Sequence, residues 1–155
     1  MRQDGRIRDV AVLIAAGIDR EGRRKVLGVS ISLSEQEVHW RVFLESLVKR
    51  GLRGVELIIS DDHSGLKAAR QAVSGGIPWQ RCQFHLQQNA QAYVPRKAMH
   101  KEVAEDIRSI FNSPSRARAE EYLKATVQKY ENTASNLAGR LAHNIPEALT
   151  VLPFP

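Results

Sequence analysis

The stretch Val55-Glu-Leu-Ile-Ile-Ser-Asp-Asp-His-Ser-Gly-Leu66 constrains the fold more than any other. Val55 to Ile59 is short, β-branched and apolar apart from Glu56, which suits a buried strand rather than a helix. Two carboxylates follow, Asp61 and Asp62, then His63, Ser64 and Gly65; from Leu66 a helical spacing begins, with Ala69 and Val73 on one side. In α/β sheets, ligands and chemistry gather where strands end and helices begin. A carboxylate at such a place either caps the following helix, by accepting from its free N–H groups, or binds a hard cation such as Mg²⁺ through oxygen. The residues alone leave both readings open for Asp61 and Asp62.

Upstream, Asp4-Gly5 signals a turn. Val10 to Ile18 reads as a buried strand, Asp19-Arg-Glu-Gly22 as a turn, and Lys25 to Ser32 as an alternating strand, so the pair is predicted to form an antiparallel hairpin. Ser34-Glu-Gln-Glu37 has the form of a capping box, with Ser34 as cap and Glu37 reaching back. It would launch a helix carrying Trp40, Phe43, Leu44, Leu47 and Val48 toward the core, stopped by Gly51. Downstream, a helix from Ser64 to Val73 ends at Gly75-Gly76, and Pro78 to Phe84 contains a short strand feeding a helix near His85.

The remainder is predicted helical. Val103, Ile107, Ile110 and Phe111 keep an amphipathic spacing. Ser113-Pro114 reads as the next helix start, with Ser113 as cap, and Tyr122, Leu123, Val127 and Tyr130 as its buried side. Leu137 and Leu141 mark a further helix before Pro146. The order is an α/β pattern with a mixed sheet, followed by a helical region. No Gly-rich fingerprint follows a strand, which argues against a dinucleotide-binding fold.

With 155 residues, 43% hydrophobic and 26% charged, the chain is expected to be one packed domain or a piece of a larger one, not a disordered segment. The net charge of +6 favours a polyanionic partner. The densest basic patch, Arg20-Glu-Gly-Arg-Arg-Lys25, is interrupted by Glu21 and suits a nucleic-acid contact and a solvated face equally. Cys82 is the one cysteine, which excludes an internal disulfide. No membrane-spanning apolar run and no apolar signal region are seen, so a cytoplasmic location is expected. Cys82-Gln-Phe-His85 could supply half a zinc site, but His100 or His143 would have to complete it without supporting spacing, so structural zinc is not expected.

Several stretches together resemble one family: Asp4-Gly-Arg6 through Ala11-Val-Leu-Ile-Ala15, Gly22-Arg-Arg-Lys-Val-Leu-Gly28, Trp40, Arg50-Gly-Leu-Arg-Gly54, Ile59-Ser-Asp-Asp-His-Ser-Gly-Leu66, Trp79-Gln-Arg-Cys-Gln-Phe-His85 and Phe154-Pro155. They are similar to the middle of Mutator-superfamily transposases of bacterial insertion sequences. The resemblance implies a ribonuclease-H-like, integrase-like core over residues 1–95 with a helical insertion or extension over 96–155. It further implies an Asp-Asp-Glu triad that holds Mg²⁺ or Mn²⁺ and cuts and joins DNA by two-metal phosphoryl transfer. The implied partners are DNA, as element ends and target, with a homo-oligomer left open.

Carried over residue by residue, Asp61 matches the second triad carboxylate and becomes the favoured metal ligand, with Asp62 as second choice. His63 matches the family's histidine, to orient Asp61, to contact DNA or simply to hydrogen-bond at the helix start. Cys82 and His85 would pack near the catalytic face. No residue is assigned to DNA binding. The family's first Asp precedes the Asp4-Gly5 match and its Glu follows the Phe154-Pro155 match. The sheet is therefore expected to lack its first strand, leaving backbone edges and apolar surface exposed. With one triad carboxylate present, these residues alone are expected not to transpose DNA. The alternative function is a non-catalytic DNA-binding or transposase-interacting remnant.

Overall fold

The computed structural model describes residues 2–3, 6–7 and 9–152. The turn expected at Asp4-Gly5 and the Phe154-Pro155 motif lie outside the described residues. The elements are β1 (Arg2–Gln3), β2 (Arg6–Ile7), β3 (Ala11–Ile18), β4 (Arg24–Ser32), α1 (Glu37–Lys49), β5 (Ile58–Ser60), α2 (Ser64–Ser74), β6 (Trp79–Arg81), α3 (Gln83–Gln91), α4 (His100–Phe111), α5 (Arg116–Tyr130) and α6 (Ser135–Asn144). Short 3₁₀ turns occupy Lys97–Met99 and Ile145–Ala148. Two compact units form, Met1–Glu56 with Asp62–Ile77, and Leu57–Asp61 with Pro78–Pro155. Among the described residues no helix is long and apolar enough to cross a membrane.

The first unit is built on the predicted antiparallel hairpin of β3 and β4. Its turn is held by Asp19, whose Oδ1 accepts from the backbone N–H groups of Glu21 and Arg23 at 3.0 and 2.9 Å. Gly22 closes it at φ +77°, a conformation costly for other residues. The Lys25 ammonium, bonded to the Asp19 carboxylate, together with the backbone and side-chain donors of Arg23, holds that carboxyl down at about 2. A bulge between Ala15 and Ala16 leaves Leu27 without a cross-strand partner and resets which residues face inward.

Leu13 is buried on the inner face against Phe43 and Leu47 of α1, with Ala11, Ala15, Leu27, Trp40, Leu44 and Leu52 around them. Burying each large side chain contributes roughly 1.5–3 kcal/mol. Gly28 makes this approach feasible: a Cβ there would lie 2.8 Å from Leu47 Cδ2 and 3.2 Å from Phe43 Cε2. The opposite face differs from the buried strand expected over Val10 to Ile18. Val12, Ile14 and Ile18 on β3, with Val26, Val29 and Ile31 on β4, are 53–70% exposed. A hairpin covered by one helix can bury only one set of its alternating side chains.

Helix α1 ends as the sequence suggests. Gly51 adopts φ +101°, its N–H donates to Val48 O, and the Leu52 N–H donates to Leu47 O, which is a Schellman closure, with Leu52 packed against the cluster that holds Leu47. Its start differs. The predicted capping box does not form: the N-cap is Gln36, without a side-chain cap. Glu37 instead binds Arg41 one turn on, with Arg41 Nε 2.8 Å from Glu37 Oε1, and is thereby drawn away from the helix start.

In the second unit β5 and β6 pair in parallel, Ile58 with Trp79 and Ser60 with Arg81. The strand expected over Val55 to Ile59 is thus shifted to Ile58–Ser60, because only those residues meet partners on β6. The helical part encloses the larger core, including Leu86, Val103, Ile107, Ile110, Leu123, Tyr130, Leu137, Leu141, Ile145 and Leu149. Two readings are corrected here. The cap of α5 is Ser115, which accepts from the Arg118 N–H at 3.3 Å, while Ser113 donates back to Ser109 O and closes α4. Tyr122 is exposed and Thr126 buried, because the face of α5 that packs inward is the stripe of Ala119, Leu123, Thr126 and Tyr130. Tyr130 donates to Asp106 at 2.6 Å; its burial, reinforced by that carboxylate, pushes the phenol up to about 12.

Candidate functional site

Asp61 directly follows β5, and Cys82 directly follows β6. The parallel ladder sets these two strand ends side by side, and the Cys82 N–H donates to Ser60 O at 2.6 Å. Trp79 Nε1 donates to Ser60 Oγ at 2.9 Å, and that hydroxyl donates to the Asp61 carbonyl at 2.8 Å. The backbone leading into Asp61 is therefore held from both sides. Its residue is exposed, at the carboxyl edge of a parallel strand pair where α/β folds place ligands.

The neighbouring candidates belong to the first unit and are engaged otherwise. Asp62 binds Lys67 with Oδ1 2.8 Å from the ammonium. His63 holds the N-cap position of α2 without a side-chain cap, so neither Asp61 nor Asp62 caps that helix. Its Nε2 lies 3.6 Å from Glu35 Oε2, while its Nδ1 is buried without a hydrogen-bond partner. A surface depression beside it is lined by Glu35, Gln36, Glu37, His63, Ser64, Gly65 and Ala68. Gly65 is explained by this packing: a Cβ would sit 2.5 Å from Glu35 O and 2.9 Å from Glu37 N. The glycine of the motif serves close approach of α2 to the segment before α1.

Cys82 is the N-cap of α3 and half-buried; His85 is exposed, its ring 5.4 Å from that of Phe84 and nearly edge-on. Among the described residues no three of His, Cys, Asp and Glu gather as a metal-binding group.

The residues that fix this edge most firmly were not legible as such. Gln80 and Arg81 read as polar strand residues, yet both are buried. Gln80 Oε1 accepts from the Val151 N–H at 2.7 Å, and Arg81 Nη1 donates to Asn144 Oδ1 at 2.5 Å, with Glu147 Oε2 at 3.8 Å. Thr150 donates to Trp79 O, and Gln83 Nε2 to Ala148 O, both at 2.9 Å. Partners 63 to 71 residues away clamp β6, and β6 holds β5. The available sequence signal was the unusual run of hydrogen-bonding residues in so short a strand.

Comparison with known proteins bears on this geometry. The chain is 55% identical over its full 155 residues to the transposase for insertion sequence element IS406 of Burkholderia multivorans, covering 40% of that protein. It is 36% identical over its full length to the transposase for ISRM5 of Rhizobium meliloti, covering 39% of it. It is 38% identical over 111 residues to the transposase for IS256 in transposon Tn4001 of Staphylococcus aureus, 72% of this chain and 28% of that one. The chain thus spans about two fifths of the length of the first two relatives. The model of the family described as transposase, Mutator family, matches residues 1–155. That match takes in the strand end at Asp61, the glycine packed against Glu35 and the clamped β6 alike, and the chain belongs to the Mutator family of transposases.

Proposed function

We propose that these residues form part of the catalytic region of an insertion-sequence transposase that cuts and rejoins DNA, and that Asp61 supplies one carboxylate of its divalent-metal centre. The observation that carries the reading is the exposed Asp61 at the carboxyl end of β5, beside the end of β6, in a chain of this family. The element order of hairpin, helix, strand, helix, strand supports a ribonuclease-H-like, integrase-like core over residues 1–95, with 96–155 as its helical extension. The net charge of +6 suits a DNA partner.

The described residues do not fit a metal centre by themselves. A hard divalent ion takes about six or more oxygen ligands, and a two-ion centre needs several carboxylates. Here no group of three candidate ligands gathers, and Asp62 is held by Lys67. What the chain itself contributes is the positioning of one carboxylate, by Ser60, Trp79 and the clamp on β6. Mg²⁺ or Mn²⁺ is the ion this reading assigns to the complete protein.

The test is a chimera in which this chain replaces the matching segment of the 55%-identical relative, assayed for excision of the element in cells. Asp61→Asn should lower excision by on the order of 10³ or more, the size of a lost metal-ligand contribution. Asp62→Asn should change it only a few-fold. Excision that survives Asp61→Asn overturns the assignment.

A further inference from the structure

The parallel pair that ends at Asp61 is too short to fix its own register. Among the described residues β5 and β6 pair only with each other, through three residues on each strand. A two-stranded ribbon of that length is marginal in water. A slip of one residue would move the carboxylate by about 3.3 Å and turn it to the opposite face. The strongest anchor against such a slip is a buried charge on β6. Arg81 stands opposite Ser60 in the ladder, and the next residue, Cys82, donates its N–H to Ser60 O. The Arg81 side chain is 11% exposed and donates to Asn144 Oδ1 at 2.5 Å, with Glu147 Oε2 at 3.8 Å. A guanidinium so placed keeps one position, because leaving its acceptors would leave a desolvated charge unpaired. The acceptor is itself oriented. Asn144 is the last residue of α6, and its Nδ2 donates to Arg140 O at 2.7 Å, which turns Oδ1 toward Arg81. The strands β5 and β6 and the helix α6 belong to one compact unit, so this restraint acts within a single body.

We propose that Arg81 and Asn144 are positioning residues for DNA cutting: together they lock the register of β6 against β5 and so set where the Asp61 carboxylate stands. This rests on Asp61 being a catalytic carboxylate, and it adds that the end of α6 is needed to place it. Neither side chain has to touch the DNA. Misplacing a reacting group by about 1 Å can cost on the order of 10²-fold in rate. Releasing the pair should therefore cost more activity than an equal loss of stability elsewhere in the same core.

Two readouts test it: hydrogen exchange of the purified chain, resolved at the Cys82 and Leu123 amides, and excision of the element by the chimera with the 55%-identical relative. Asn144→Ala should speed exchange at Cys82 at least ~10-fold more than at Leu123, in the middle of α5. It should also lower excision by on the order of 10²-fold. Asn144→Asp keeps an acceptor for Arg81 and should hold both readouts within ~3-fold of the parent. Ile110→Val, in the same core but on α4, should speed both amides alike and leave excision within ~3-fold. If Asn144→Ala does not fold, Gln83→Met, which releases the same strand end from Ala148 O, should show the same pair of effects. Equal acceleration at the two amides, undiminished excision in Asn144→Ala, or no rescue by Asn144→Asp would each overturn the proposal. Asp61→Asn, run alongside, separates the two assignments. If it spares excision, the role of Asp61 is what fails; if it abolishes excision while Asn144→Ala does not lower it, the positioning role is what fails.

Discussion

Trp79 Nε1 donates to Ser60 Oγ at 2.9 Å across the parallel strands, one residue before Asp61. Ser60 in turn donates to the Asp61 carbonyl, so an indole on β6 steadies the end of β5. Trp79→Phe keeps most of the ring and removes the donor. It should cost about 1 kcal/mol, the net worth of such a bond. Denaturant unfolding of the chain checks the cost; an unchanged midpoint would show that the bond contributes nothing.

Gln80→Leu tests the clamp on β6. It fills similar space but leaves the half-buried Val151 N–H without its acceptor, and losing that bond should cost about 1 kcal/mol. Gln88→Leu, on the exposed side of α3, should stay within about 0.5 kcal/mol of the parent. Equal effects from the two in urea titration would contradict the clamp.

Gly65→Ala should destabilise by about 1–3 kcal/mol, because its Cβ meets backbone atoms of residues 35 and 37 that cannot rotate away. Gly76→Ala, where a Cβ meets nothing within 4 Å, is the control and should be neutral or stabilising. Thermal unfolding of both variants decides whether the glycine of the Asp-x-His-x-Gly element is there for packing.

Asp19 gives the acid limb of stability a defined sign. Its carboxyl is lowered from 3.8 to about 2 in the folded chain, mainly by Lys25. A group whose folded value is depressed stabilises above its unfolded value and loses that contribution as pH falls through the folded one. The contribution is therefore complete above about pH 4 and lost between pH 4 and 2. Asp19→Asn should flatten the pH dependence in that window, measured as unfolding midpoint against pH. A parallel curve would refute the assignment.

Much of the framework was legible because it rests on local physics. The apolar run Val10 to Ile18 and the alternation from Lys25 to Ser32, with Asp19 and Gly22 between them, specify the hairpin, since a turn and two pleated runs are sequence neighbours. Gly51 specifies the end of α1 through its left-handed backbone. Asp61 could be singled out from its place after a strand and before a helix, together with the family pattern. Start signals were less secure. Ser34 and Ser113 have the chemistry of caps, yet Gln36 and Ser115 hold those positions, because a cap is chosen by where the helix packs and not by residue type alone.

By itself, then, the sequence determined the order of elements, the hairpin and the helical second half, all of them set by neighbours within a few residues, and it offered Asp61 as a candidate only through the family pattern. Tertiary structure alone decided that Gln80 and Arg81 are buried, since their partners at Asn144, Glu147 and Val151 lie more than sixty residues away. It alone decided which face of the hairpin meets α1 and which stays open, since both faces of β3 read as apolar along the chain. It also showed why Gly65 must lack a side chain, because the atoms that forbid one belong to a segment about thirty residues earlier. Non-local contacts carry no periodicity, and only the folded chain reveals them.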